Sequence, residues 1–343
     1  LKAAIYYSNN DIRIEDIPVP KISNKEILVK IMASGVCGSD VMEWYRIKKA
    51  PLILGHEVAG VVSEVGNMVK NIKEGDRVVI AHHVPCNVCY HCLLGKHTVC
   101  DTLRKTNFDP GGFCEYVRVP EINLANSGIF FLPDNVSYEE GSFVEPLACV
   151  LRAQRLIGIQ AGMTVLIIGA GISGVLHIAL ARATGASNVI GIDISDFRIK
   201  AALENGANHA FHFKDFNQEV LKKINNNRLA DVVILSTGAP QAIESALNYV
   251  ERGGSMLIFA PSPPDFIYKI NYNDVFWRNE IRIISSYAGA PVDYYTALQL
   301  ITYKNIDVKR MITHRLPLSE IKEAFRLVSE AKASLKVIIE PHK

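Results

Sequence analysis

The chain has 343 residues, 49% hydrophobic and 21% charged, enough apolar material for about two packed domains and a composition unlike that of disordered chains. A formal net charge of +2, from 37 basic and 35 acidic residues with no long basic run, argues against a nucleic-acid partner. No apolar stretch approaches the roughly 20 residues of a membrane helix, and Leu1 to Tyr7 lack the features of a secretory signal, so the expectation is a cytoplasmic protein without a membrane partner.

Up to about Pro146 the sequence reads as short strands punctuated by glycines, with apolar or alternating runs at Ile27 to Ile31, Val58 to Val65 and Arg77 to Ile80. Two groups of metal-ligating residue types lie within it. The first is Cys37, followed by His56 and Glu57; one thiolate, one imidazole and one carboxylate make the mixed, incomplete set typical of a catalytic zinc that keeps a position open. A lone Cys or His is also a common packed core residue, and spacing alone does not separate the two readings. The second is Cys86, Cys89, Cys92 and Cys100, four of the seven cysteines within fifteen residues. Four soft thiolates suit a closed, structural zinc, with an iron–sulfur site as the chemical rival. His91 and His97, inside the same stretch, read as surface residues. Cys114 and Cys149 read as small buried hydrophobes.

From about Leu151 the texture changes to buried-strand runs alternating with helical periodicity. Strands are expected at Val165 to Ile168, Val189 to Asp193, Ala210 to Phe213, Val232 to Leu235, Met256 to Phe259 and Ile281 to Ser285. Helices are expected at Ile172 to Ala183, Phe197 to Glu204, Gln218 to Ile224 and Gln241 to Val250, giving an α/β doubly wound parallel sheet. The first strand runs into Gly169, Ala170, Gly171, Ile172, Ser173, Gly174, a GxGxxG turn opening a helix whose N-terminal amides suit a pyrophosphate. Asp193, at the end of the next strand, is placed to accept from ribose hydroxyls and to repel a 2′-phosphate, which favours NAD over NADP. Arg198 is a candidate for lying along the adenosine, with an exposed helix residue as the alternative. Beyond Tyr287 the elements expected are a helix Tyr294 to Ile301, a strand Ile312 to His314, a helix Leu318 to Ser329 and a strand Leu335 to Ile339, a stretch too short for its own domain and expected to pack on the first part.

These motifs together resemble the medium-chain zinc-dependent alcohol dehydrogenases, and within them the sorbitol and threonine dehydrogenase-like branch. The resemblance rests on Gly35 to Asp40 (GVCGSD), Gly55 to Gly60 (GHEVAG), the four-cysteine lobe, Glu145-Pro146-Leu147, the GAGISG turn and Thr313 to Leu318 (THRLPL). It implies a GroES-like β catalytic domain over 1–150 and 288–343, carrying the zinc lobe 86–100, and a Rossmann NAD-binding domain over 151–287. It implies two zincs per subunit, with Cys37 and His56 as catalytic ligands and Glu57 or Glu145 completing the shell, and Thr237 among the loops that touch the cofactor. It also implies a homodimer or homotetramer and oxidation of a small-molecule alcohol.

Ser39 is then placed to relay the alcohol proton, Asp40 to orient His56, and Glu43, Trp44 and Tyr45 to line the substrate mouth. Sorbitol dehydrogenase-like sequences follow CGSD with Val and His, where this chain has Val41 and Met42, and they have Arg and Tyr where it has Ser286 and Glu43. The expected reaction is hydride transfer from a secondary alcohol of a polyol, cyclitol or sugar derivative to NAD. The alternatives are an L-threonine 3-dehydrogenase-like enzyme and a non-catalytic nucleotide- and zinc-binding relative.

Overall fold

The computed structural model describes residues 1–343. The chain divides into two compact units, Leu1–Ala148 with Gly289–Lys343, and Cys149–Ala288. The helix Val144–Ile157 contains the first boundary. No helix is long and apolar enough to cross a membrane.

In chain order the strands of the first unit are β1 (Lys2–Ser8), β2 (Asp11–Asp16), β3 (Ile27–Gly35), β4 (Leu52–Ile53), β5 (Glu57–Val65), β6 (Arg77–Ile80), β7 (Tyr116–Val119) and β8 (Ile129–Phe131). Those of the second unit are β9 (Thr164–Ile168), β10 (Asn188–Asp193), β11 (His209–His212), β12 (Ala230–Leu235), β13 (Val250–Ile258) and β14 (Arg282–Ser285). The chain then returns to the first unit with β15 (Ile312–Pro317) and β16 (Lys336–Glu340).

The first unit contains a small sheet β2-β1-β4 and a larger one ordered β15-β16-β3-β5-β6-β8, with β7 also on β3. β3 is the organising strand, pairing antiparallel with β5, β7 and β16. Its alternating Ile27, Val29 and Ile31 are fully buried against Val58, Val62, Val78, Ile80 and Val117. Each such side chain contributes about 1.5–3 kcal/mol by leaving water. A second core forms where the helix Ile321–Glu330 sets Ile321, Ala324 and Phe325, spaced for one helical face, against Tyr6, Phe113, Val337 and Ile339. The C-terminal segment is thereby built into the first unit.

The second unit is a six-stranded parallel sheet ordered β11-β10-β9-β12-β13-β14, the doubly wound arrangement anticipated from its continuous apolar runs. Helices cover both faces, and two apolar clusters form, one including Leu166, Ile190 and Val233 and the other Val165, Ile167 and Val232. The order reverses between β9 and β12, where ligands bind in such sheets. One expected helix is shorter than its periodicity suggests. It spans Pro240–Ala246 and tightens into a 3-10 turn at Leu247–Tyr249, because Val250 is taken up as the first residue of β13, opposite Ala230. Likewise Leu318–Glu320 form a 3-10 turn before the last helix begins at Ile321.

The turn between β9 and the helix Ile172–Ala183 depends on two glycines for different reasons. Gly169 has φ +94°, a left-handed conformation, and a side chain there would meet Thr237 Cβ at 2.9 Å. Gly174 lies so close to the Gly169 carbonyl that a Cβ would overlap it. Gly174→Ala is therefore expected to destabilise the protein by about 1–3 kcal/mol, the usual cost of overpacking, with a lower urea midpoint as the measurement.

Candidate metal centres and nucleotide site

The four-cysteine lobe is built from local turns. Cys86 and Cys89 precede the short helix Tyr90–Leu93, Cys92 lies within it, and Cys100 precedes the helix Asp101–Lys105. All four thiol sulfurs lie within 4.8 Å of one another, with Cys89–Cys92 and Cys86–Cys100 at 3.6 Å, and none is in a disulfide. Ligands about 2.3 Å from a tetrahedral zinc stand about 3.8 Å apart, so this spacing fits a single ion. Burial opposes ionisation of Cys100, but the backbone N–H groups of Cys86, Leu103 and Thr102 and the Cys86 thiol bring it down to about 6. Burial and its cysteine neighbours push Cys92 up to about 12. His91 is exposed and His97 partly so, and neither belongs to the cluster. Cys114 is buried, whereas Cys149 is only partly buried, unlike the expectation for it.

The second group comes from neighbouring strand ends. Antiparallel register places Gly35, last in β3, opposite Glu57, first in β5, so the turn after β3 brings Cys37 to the His56–Glu57 step. The ligand atoms of these three residues lie within 4.8 Å of one another. Glu145, in the first turn of its helix, is buried but falls outside that group.

Asp40, fully buried, organises the turn: its Oδ2 accepts from the Cys37 backbone N–H at 3.1 Å and its Oδ1 faces His56 Nδ1 at 3.4 Å. A carboxylate in this position is the usual partner of a metal-ligating imidazole's second ring nitrogen. Burial disfavours charge on both partners, yet the Asp40 carboxylate and the Cys37 thiolate hold His56 well above its ordinary range. His56, Arg46 and the Cys37 N–H hold Asp40 below its own. A thiolate, an imidazole and a carboxylate in such an electronegative setting fit zinc with an open coordination position.

Ser39 is held by Arg46, whose Nε donates to the Ser39 carbonyl at 2.9 Å and whose Nη2 donates to Ser39 Oγ at 3.0 Å. Glu43 is partly committed elsewhere, since its Oε1 accepts from the Asn9 N–H at 3.0 Å. Trp44 is exposed and the Tyr45 ring has two cations near it, with Arg46 Cζ 4.8 Å and Lys49 Nζ 5.1 Å from its centre.

Several residues escaped the sequence reading. His82 packs its ring 5.0 Å from that of His56 and 3.9 Å from that of His83. Burial holds His82 well below the ordinary histidine range and brings His83 down to about 4. Their signal was the His-His pair between β6 and the lobe. Lys336 is the other: wholly buried, its Nζ donates to Glu57 Oε2. Its signal was a lysine inside the apolar run Leu335 to Ile339.

In the second unit the glycine turn is tied to the next strand. The Ala170 N–H donates to Asp193 Oδ2 at 2.7 Å, while Asp193 Oδ1 accepts from Ile194 and Ser195 at 2.8 and 3.0 Å. Gly171 caps the helix Ile172–Ala183 without a side-chain bond, leaving the first-turn amides, including those of Ile172 and Ser173, for an anion. Arg198 lies over this turn, its Cζ 3.6 Å from where a Gly171 Cβ would be and its Nη1 4.0 Å from Asp193 Oδ2. Thr237 stands against Gly169 and accepts from the Ala239 N–H at 3.3 Å.

Residues 23–128 match the alcohol dehydrogenase GroES-like domain and residues 174–303 the zinc-binding dehydrogenase family. Sorbitol dehydrogenase of Bacillus subtilis (strain 168) is 32% identical over 100% of this chain and 98% of its own length. The chain belongs to the medium-chain zinc alcohol dehydrogenases, in the polyol dehydrogenase branch. Among solved structures, this dehydrogenase is similar to a zinc-binding dehydrogenase of Sinorhizobium meliloti 1021 bound to NADP, with 30% identity, a TM-score of 0.86 and 99% of each chain covered. It is also similar to 2R,3R-butanediol dehydrogenase of Bacillus subtilis, with 27% identity, a TM-score of 0.86 and 99% of each chain covered. The dehydrogenase is thus an enzyme acting on alcohols or polyols with zinc and a nicotinamide dinucleotide.

Metal analysis of the purified dehydrogenase is expected to show two zincs per chain, about one remaining in Cys37→Ala with the fold intact. Cys100→Ala is expected to lose the lobe zinc and to become sensitive to proteolysis near residues 86–105. Loss of no zinc in Cys37→Ala would contradict the assignment of that group.

Proposed function

We propose that the dehydrogenase oxidises a secondary alcohol of a polyol, cyclitol or sugar derivative to the ketone, with NAD as hydride acceptor. The observation that carries this reading is the Cys37–His56–Glu57 group with Asp40 behind His56. Cys37, His56 and Glu57 would hold a zinc there, which would supply Lewis acidity toward a substrate hydroxyl. The chain's own residues do the rest. Asp40 fixes the imidazole, and Arg46 fixes Ser39 by occupying one lone pair of Oγ, which leaves the Ser39 hydrogen and its other lone pair to receive and pass on the alcohol proton.

Support for a neutral, hydroxyl-rich substrate over an amino acid comes from Glu43, one of whose oxygens is already bonded to the Asn9 N–H. Support for NAD comes from Asp193. Its oxygens accept three backbone N–H groups, which holds the side chain beside the glycine turn, where it can take ribose hydroxyls and repel a 2′-phosphate. kcat/KM with NAD is expected to exceed that with NADP by about 10- to 100-fold, the worth of one or two charged hydrogen bonds. Asp193→Ala should erase most of that ratio. A preference for NADP in the unaltered protein would refute the cofactor choice, and a panel of polyols, cyclitols and threonine followed by NADH formation tests the substrate class.

The expected self-association has support in the second unit. β14 is an edge strand, and Ile283 on it, with nearby Phe276 and Trp277, is exposed. An unpaired apolar edge is a template for a second copy of the same strand. Light scattering is expected to give a dimer or tetramer, and Ile283→Lys to shift the population toward monomer.

A further inference from the structure

Lys336 has no place in the chemistry described so far, yet the fold makes room for it. It projects from β16, reaches past the end of β3, and bonds Glu57 at the start of β5; its Nζ also lies 5.5 Å from the centre of the Phe143 ring. β3 separates the two residues, and what lets them meet is Gly35. A Cβ on Gly35 would overlap Glu57 Oε2 and stand 2.6 and 2.7 Å from Lys336 Cε and Nζ. Gly35 is therefore a glycine for space. Lys336 and Glu57 are 0% and 1% exposed, so neither charge is balanced by water. The same Glu57 carboxylate contributes a ligand atom to the group with Cys37 and His56.

We propose that Lys336 is a positioning residue that sets how tightly the Cys37–His56–Glu57 group holds zinc, by sharing the Glu57 carboxylate with the metal. The inference rests on the metal role proposed for that group. With Lys336 in place, Glu57 has a cation whether or not zinc is bound, and the metal gains only part of the carboxylate's charge. Without it, a buried carboxylate in the metal-free chain has no partner, and zinc binding relieves that penalty. A brace with no function toward the metal would do as well or better as two apolar side chains.

The test follows release of zinc to a colorimetric chelator from the full-length protein loaded with zinc. The phase that is absent from Cys37→Ala identifies the ion in question. In Lys336→Met that phase is expected to slow by about tenfold or more, the scale on which partners of metal ligands change affinity. In Lys336→Met/Glu57→Gln, which removes both charges, release is expected to return to the wild-type rate or exceed it. An unchanged or faster release from Lys336→Met overturns the proposal. So does a Lys336→Met chain that fails to fold with zinc present while the double variant folds, since the pair would then be a brace. The count of two zincs on the unaltered chain tests the underlying metal reading separately, and a count of one overturns both.

Discussion

Charge buried beside the Cys37–His56–Glu57 group has to be balanced inside the protein, and much of the first unit is arranged to do so. Asp40 faces both His56 and Arg46, and Glu57 pairs with Lys336. Breaking a buried pair by removing one partner costs about 3–5 kcal/mol, comparable to a large part of a domain's net stability. The strand order β16-β3-β5 can be read in that light. It brings a lysine near the C-terminus, a glycine from the middle strand and a carboxylate from the third within contact.

The two groups of metal-ligating residue types show how differently a chain can bring such side chains together. In the lobe, four thiols come from a single fifteen-residue stretch, and backbone N–H groups from the same turns bear on their ionisation. Its closed donor set suits a structural ion, and its position does not depend on long-range register. The Cys37–His56–Glu57 group is assembled by β3–β5 pairing, so its geometry is only as good as that register. A one-residue slip would turn Glu57 to the opposite face. The buried alternation of Ile27, Val29 and Ile31 is what pins it.

The nucleotide unit solves a related problem with backbone groups. Asp193 accepts N–H groups from both the glycine turn and its own strand end, which fixes the turn before any ligand arrives. Preorganisation of this kind lowers the ordering cost of binding an anion at the helix terminus. Arg198, lying over Gly171 and near Asp193, offsets part of the negative charge there without removing the carboxylate.

Local and periodic features were legible in the residues alone: the four-cysteine spacing, the strand–GxGxxG–helix turn with Asp193, the six apolar strand runs and the CGSD and GHE steps. Each of these is determined within a few neighbouring residues, by turn chemistry or by runs of apolar residues that suit a sheet. The pairing of Lys336 with Glu57 is separated by 279 positions and the contact of the His82 ring with that of His56 by a change of strand, so no local rule reports them. The same holds for Arg46 on Ser39, and for the approach of the Glu57 carboxylate to Cys37 and His56. The sequence determined which chemistry is available; tertiary structure decided which charges share it, because side chains distant along the chain meet only through strand register.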